Sequence, residues 1–168
     1  MKIAAVVLML GFTVVSAAGC ASSANYYTNP ETQWTAIQRV GIMPFTLAFD
    51  NPVRRQVVTQ LFAEELRRTR VVEVIEVPEE NASMAVSVPT LEEVAAKYQV
   101  DAIFTGAVDD SQGAVVHVQL HDPATKDIVW SGTYSLSMGS EYFSLRTQQQ
   151  QFQKSIRKLV RQFAAQKR

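Results

Sequence analysis

Thr90-Leu-Glu-Glu-Val-Ala-Ala-Lys-Tyr-Gln-Val-Asp-Ala-Ile-Phe-Thr-Gly106 contains a helix start, a short helix and the head of a strand. Thr90 and Glu93 form a capping-box pattern, in which the hydroxyl accepts from the Glu93 amide and the carboxylate reaches back to the Thr90 amide. Leu91, Val94, Ala95 and Tyr98 keep a helical period, so the spacing predicts a helix to about Gln99. The apolar and β-branched run from Asp101 to Asp109 predicts a strand directly after it. The chain on either side decides what sheet that strand joins.

Upstream, Arg39-Val-Gly-Ile-Met-Pro-Phe45 reads as a buried strand ended by a proline that lacks a ladder donor. Asp50 or Asn51 can cap a helix with Pro52 at its first position, where the missing amide hydrogen costs nothing. That helix, Pro52 to Arg70, puts Val57, Val58, Leu61, Phe62 and Leu66 on one stripe. Arg54, Arg55, Gln56, Glu64, Arg67 and Arg68 lie away from it, with Glu64 and Arg68 at a favourable four-residue spacing. Val71 to Val77 reads as the next strand, stopped by Pro78. Between Pro78 and Pro89 the pattern weakens. Met84, Val86 and Val88 alternate with smaller residues there, as a short edge strand or an apolar loop for a partner would.

Downstream, strands are predicted at Ala114 to His121 and Asp127 to Met138, joined by the turn-forming Asp109-Asp-Ser-Gln-Gly113 and Asp122-Pro-Ala-Thr-Lys-Asp127. Ala114, Val116, Val118 and Leu120 face one way. In the last strand Ile128, Trp130, Gly132, Tyr134, Leu136 and Met138 alternate with Val129, Ser131, Thr133, Ser135 and Ser137, so each strand has one buried and one wetter face. From about Ser140 a helical stripe returns with Phe152, Ile156, Leu159, Val160 and Phe163. Arg157, Lys158 and Arg161 form its basic outer face, read as solvated surface or, functionally, as a contact for peptidoglycan or an acidic partner. The fold class is therefore α/β (α+β): one mixed five-stranded sheet in the order β-α-β-α-β-β-β-α, with helices packed on it.

The first residues belong to another pattern. Lys2, an apolar run from Ile3 to Val15 and the small residues Ser16-Ala17-Ala18-Gly19 form a secretory leader, residues 1–19, with an apolar core too short to span a membrane as a mature helix. Ala17-Ala18-Gly19-Cys20 resembles the lipobox of bacterial lipoproteins, although the first lipobox position is more often Leu. The resemblance implies cleavage before Cys20 and acylation of its thiol with palmitate-type chains. Cys20 is the only cysteine, so no intramolecular disulfide can form. Ala21 is not the aspartate that retains enteric lipoproteins in the inner membrane, and the outer membrane is expected. Residues 20–37 then read as the lipidated start and a tether, whose stretch 21–35 reaches at most about 50 Å. Tyr26, Tyr27 and Trp34 within it rest on lipid or cover a domain edge. Residues 38–168 form a single domain.

Charge and motifs narrow the function. Without Lys2, 15 basic residues stand against 16 acidic, and this balance gives no basic footprint for nucleic acid. Nucleophile elbows, phosphate-binding glycine loops and zinc-protease helices are absent as motifs. His117 and His121 share a strand face but stand about 13 Å apart, too far to hold one metal ion. Asp109, Asp110 and Asp122 sit at strand ends, where turn chemistry explains them. Neither a catalytic residue, a metal nor a cofactor is expected beyond the lipid on Cys20.

Val40-Gly-Ile-Met-Pro-Phe45, Val94 to Gly106 and Val118-Gln-Leu-His-Asp-Pro-Ala-Thr-Lys-Asp-Ile-Val-Trp-Ser131, taken in order, resemble a known module. It is the α/β domain of the CsgG, LpoB, FlgO and TolB amino-terminal family of envelope proteins, and it covers roughly residues 38 to 138. Lys126 occupies a turn position where relatives often have glycine. A chain of this length has no spare strands for a CsgG-type membrane barrel, and its tether is shorter than that of LpoB. The resemblance implies a non-catalytic, outer-membrane-anchored periplasmic lipoprotein, an interaction or assembly module in secretion, flagellar or cell-wall synthesis machinery. Docking would use an exposed sheet edge or the loop with Met84, Val86 and Val88. The alternatives are a subunit of a homo-oligomeric secretion assembly and, more distantly, a cell-wall-modifying enzyme.

Overall fold

The computed structural model describes residues 23–48, 52–78, 89–109, 114–136 and 145–168. Three helices and seven strands are formed among them, in the order β1 (Ser23–Thr28), β2 (Arg39–Ile42), β3 (Thr46–Leu47), α1 (Pro52–Thr69), β4 (Glu73–Glu76), α2 (Leu91–Tyr98), β5 (Ala102–Asp109), β6 (Ala114–His121), β7 (Ile128–Leu136) and α3 (Leu145–Lys167). The strands make one mixed sheet in the order β1-β7-β6-β5-β2-β4, with β3 on β5. β2 lies parallel to both β4 and β5, whereas β5, β6 and β7 form an antiparallel meander.

The five-strand expectation is corrected by β1 and β3. β1, in the stretch read as a tether, runs antiparallel to β7 from Ser23↔Ser135 to Thr28↔Trp130. An edge strand needs only its backbone bonds and one anchoring side chain, so Ser-Ala-Asn-Tyr-Tyr-Thr shows little apolar alternation. Tyr26 supplies the anchor, its ring 6.5 Å from that of Trp130. Trp34, just beyond, packs edge-on against Phe163 at 5.9 Å, so these aromatics cover a domain edge. β3, two residues long, is too short to carry a period.

One sheet face carries the main core. Val40, Ile42, Phe104, Val116, Val118, Leu120, Trp130 and Tyr134 are buried beneath α1 and α3. Phe62 of α1 meets Phe104 edge-on at 5.2 Å, and Phe104 meets Phe163 of α3 at 5.1 Å. Such pairs add about 0.5–1.5 kcal/mol each beyond area burial and tie both helices to β5. α3 carries the expected stripe, with Ile156, Leu159, Val160 and Phe163 buried. α1 departs from its expected stripe. Val57 is 50% exposed, while Thr59 and Glu65 are buried beside Val58, Phe62 and Leu66. Thr59 earns its place by accepting the Phe45 amide at 3.0 Å and donating to the Arg55 carbonyl at 2.9 Å.

On the other face, α2 covers the parallel end of the sheet with Val94 against Val77, Val100 and Ile103. Its capping box forms as expected, Glu93 N to Thr90 Oγ1 at 3.2 Å and Thr90 N to Glu93 Oε2 at 2.8 Å. Gln99 closes the helix in the left-handed region, φ 53°. The strand predicted over 71–77 is shorter, Glu73–Glu76. Asp50, Asn51, Asp110, Met84, Val86, Val88 and the lipobox residues Ala17, Ala18, Gly19 and Cys20 lie outside the described residues.

Candidate functional site: an open sheet face and an uncharged edge

Alternation along β5, β6 and β7 sends Phe104, Val118 and Trp130 into the core and their neighbours to the opposite face. Beyond α2, that opposite face presents Thr105, His117, Gln119, His121, Ser131 and Thr133, exposed or half-buried, with no described helix over them. β1 extends the same face with Asn25 and Tyr27, both exposed.

The two histidines are engaged separately. His117 Nδ1 lies 2.9 Å from Thr133 Oγ1, its direct partner across β6 and β7. His121 Nε2 lies 3.0 Å from Thr105 Oγ1, diagonally across β5 and β6. Partial burial lowers the His121 pKa, opposed by a hydrogen bond to the Lys126 backbone. These cross-strand pairs stabilise the polar face, and no group of three or more His, Cys, Asp or Glu able to hold a metal occurs among the described residues.

Charged residues line two grooves beside the sheet, and several of them have structural roles. One, of about 610 Å³, runs beside β4; Arg39 and Glu73 of its lining pair at 3.1 Å, and Arg67 of its lining pairs with Glu76 outside it at 2.7 Å. The other, of about 500 Å³, includes Glu31, Asp101, Asp122 and Asp127. Asp101 Oδ2 accepts the amides of Gln38 and Arg39 at 2.7 and 2.8 Å, stapling the entry of β2 to β5. Asp122 Oδ1 accepts from Ala124 and Thr125, the turn role its sequence position suggests.

The basic face of α3 is more engaged than a solvated surface. Arg157 Nε donates to the buried Glu65 of α1 at 2.9 Å, and Lys158 Nζ donates to Tyr134 Oη at 2.8 Å. Tyr26, close by on β1, has its pKa raised by burial, an effect the Lys158 charge opposes. β1 carries no charged side chain, and no described strand pairs its outer edge. Sequence reasoning passes over this edge because its residues look like linker; the adjacent pair of tyrosines is the one signal that marks it.

No family model and no curated protein matches the chain in sequence. Among solved structures it is similar to the PelC dodecamer of Paraburkholderia phytofirmans, with a TM-score of 0.62, 15% identity, and coverage of 83% of this chain and 95% of that one. Weaker likenesses, below the level at which a fold can be argued, include two further proteins. TolB of Acinetobacter baumannii has a TM-score of 0.41 and 15% identity, covering 84% of this chain and 31% of that one. The LpoB C-terminal domain of Salmonella enterica has a TM-score of 0.39 and 16% identity, covering 61% and 84%. The chain is thus similar in fold to PelC over most of both chains.

Proposed function

We propose that this chain is a bacterial lipoprotein, anchored to the outer membrane through lipid on Cys20 and facing the periplasm, that works as a non-catalytic assembly module of the cell envelope. The observation that carries the reading is the polar face of β5, β6 and β7 beyond α2, which no described helix covers. There the histidines are tied into separate cross-strand pairs, and the side chains of that face are polar. Such a face suits docking of a folded partner better than it suits turnover of a small substrate, which needs a concave site with converging groups.

A second reading has its own support. PelC, similar in fold, is a dodecamer, which favours self-association of this chain. Light scattering on the mature chain with Cys20→Ser separates the two. A monomer that captures specific envelope proteins supports the partner module, and a large symmetric particle supports the homo-oligomer. Turnover of a cell-wall substrate, abolished by His117→Ala, would sink the non-catalytic reading altogether.

A further inference from the structure

We propose that two copies of this chain join through β1, edge to edge about a two-fold axis at Tyr26, so that their sheets run on as one. The proposal rests on the second reading above, self-association, and gives it a joint. The chemical state of Cys20 does not enter.

Backbone phase decides which groups β1 offers. The Asp122 amide donates to the Asp127 carbonyl at 3.0 Å across the β6–β7 turn. Alternation along β6, carried through the register shift at Leu120 and His121, then makes Leu120, Val118 and Val116 the bonded partners of Trp130, Gly132 and Tyr134. Ser131, Thr133 and Ser135 turn the other way and bond β1 at Tyr27, Asn25 and Ser23. The Asn29 amide keeps the same phase, donating to the Val129 carbonyl at 3.0 Å. Ala24, Tyr26 and Thr28 therefore direct amide and carbonyl outward, away from β7, and no described strand takes them up. The chain does not fold back over them. After Asn29 it runs beside Asp122, Asp127 and Asp101, at the ends of the strands, on its way to β2.

The occupant that fits this edge is a second copy of itself. Natural edge strands resist their own kind with a charge, a proline or a bulge. β1 has none of these, and its register on β7 is unbroken. Its outward groups are also self-matching. Turned about an axis through Tyr26, Ala24 opposes Thr28 of the partner subunit, Tyr26 opposes Tyr26 of the partner subunit, and each opposed pair exchanges both backbone bonds. A slip of one residue would set outward groups against groups already bonded to β7, and a slip of two would leave one of the three without an opposite among them. Side chains follow the same match. Tyr26, 38% exposed beside Trp130, gains an aromatic neighbour across the axis, and Tyr27, 50% exposed on the other face, lies opposite Asn25 of the partner subunit.

Charge and bulk stay clear of the joint. Lys158 is held by Tyr134, at the level of Ala24, so the two-fold sends the two lysines to opposite sides of the axis. Glu31 lies beyond Asn29, and the two acidic grooves fall at opposite ends of the paired strands. α3 packs over β7, through Leu159 at Gly132 and Phe163 at Trp130. Three strand spacings, about 14 Å, separate one β7 from the other. The two α3 helices thus stand farther apart than the roughly 8–10 Å of packed helices, and the Tyr26 rings lie between them.

Sedimentation of the mature chain with Cys20→Ser, in which no disulfide can link two copies, should show a dimer that dilution separates into monomers. Ala24→Pro removes an outward amide and leaves the β7 ladder whole, because an edge strand tolerates proline where its N–H faces out. It should weaken the dimer about tenfold or more. Asn25→Lys combined with Tyr27→Lys, both at exposed positions, sets like charges opposite each other across the axis. That chain, and equally the chain with Asn25→Glu and Tyr27→Glu, should dimerise about tenfold more weakly. Mixing the two should restore a dimer with one copy of each, which misfolded chains could not do. A dimer indifferent to Ala24→Pro and to the charged substitutions, or charged chains that mixing does not rejoin, would overturn the β1 joint. A large symmetric particle untouched by the same substitutions would keep the self-association reading and sink this joint alone, whereas a parent chain that stays monomeric sinks both.

Discussion

Glu65 of α1 and Arg157 of α3, ninety-two residues apart in sequence, meet at 2.9 Å on the seam between the two helices that cover the core. Glu65 is 8% exposed and accepts from Arg68 as well, also at 2.9 Å. A carboxylate this buried needs its donors, because removing one leaves a desolvated charge without a partner. Arg157 and Arg68 keep one side in water, which moderates the effect. Arg157→Ala should cost about 1–2 kcal/mol in urea unfolding, with Arg68 retaining part of the interaction. Glu65→Ala should cost more, because it also opens space under the seam. Equal and negligible losses for both would remove the pair from the account of α1 and α3 packing.

Gly106 of β5 sits under the Phe45 ring. A Cβ built there would come within 2.6 Å of three ring carbons, while at Gly41 it would approach Val100 no nearer than 3.3 Å. Phe45 is fully buried and packed on Phe62 at 5.3 Å, so its ring has little freedom to move aside. Overpacking of this kind costs about 1–3 kcal/mol. Gly106→Ala should therefore lower the urea midpoint well beyond Gly41→Ala. A Gly106→Ala protein as stable as the parent would mean that the Phe45 ring can leave its position without loss.

The parts of the fold that show in the sequence are those fixed by local chemistry or by two-sided burial. The Thr90–Glu93 box spells out its own hydrogen bonds, and the alternation of Val116, Val118 and Leu120 with His117 and Gln119 reveals both faces of β6, the open one included. β1 does not show, because an edge strand with a single anchoring ring has no period to display. Glu65 and Thr59 do not show either. Each is polar on a buried stripe, and each is satisfied by a residue distant in sequence or by a local backbone carbonyl that periodicity cannot name. Glu64 and Arg68 illustrate the same limit. Their spacing suggests a pair, but the burial of Glu65 draws Arg68 to it instead.

His121 gives the domain a pH dependence of predictable sign. Burial holds its folded-state pKa below the ordinary histidine value, so the unfolded chain binds a proton more readily than the folded one. The His121 contribution to stability is complete above the unfolded pKa and declines as pH falls through that value towards the folded pKa. Unfolding midpoints measured from about pH 8 to about pH 5 should fall towards the acid side. His121→Gln keeps a polar group near Thr105 without a titrating proton, and it should flatten part of that slope. A slope unchanged by His121→Gln would assign the acid loss to other groups.

Lys126 holds φ 66° in the turn between β6 and β7, a conformation unfavourable for a side chain with a Cβ. The turn needs it: the Lys126 amide donates to the Asp122 carbonyl at 2.8 Å while Asp122 Oδ1 caps Ala124. The Lys126 ammonium meets Glu92 at 3.0 Å, but both side chains are largely exposed, so that pair adds little. Glycine removes the steric cost of the left-handed conformation, about 1–2 kcal/mol, and adds freedom to the unfolded chain that offsets part of the gain. Lys126→Gly should therefore raise stability by about 0.5–1 kcal/mol, and Lys126→Ala should leave it nearly unchanged. Thermal and urea unfolding of the two variants measures the difference directly. A Lys126→Gly protein less stable than Lys126→Ala would show that the Glu92 contact or the stem of Lys126 matters more to this turn than its backbone geometry.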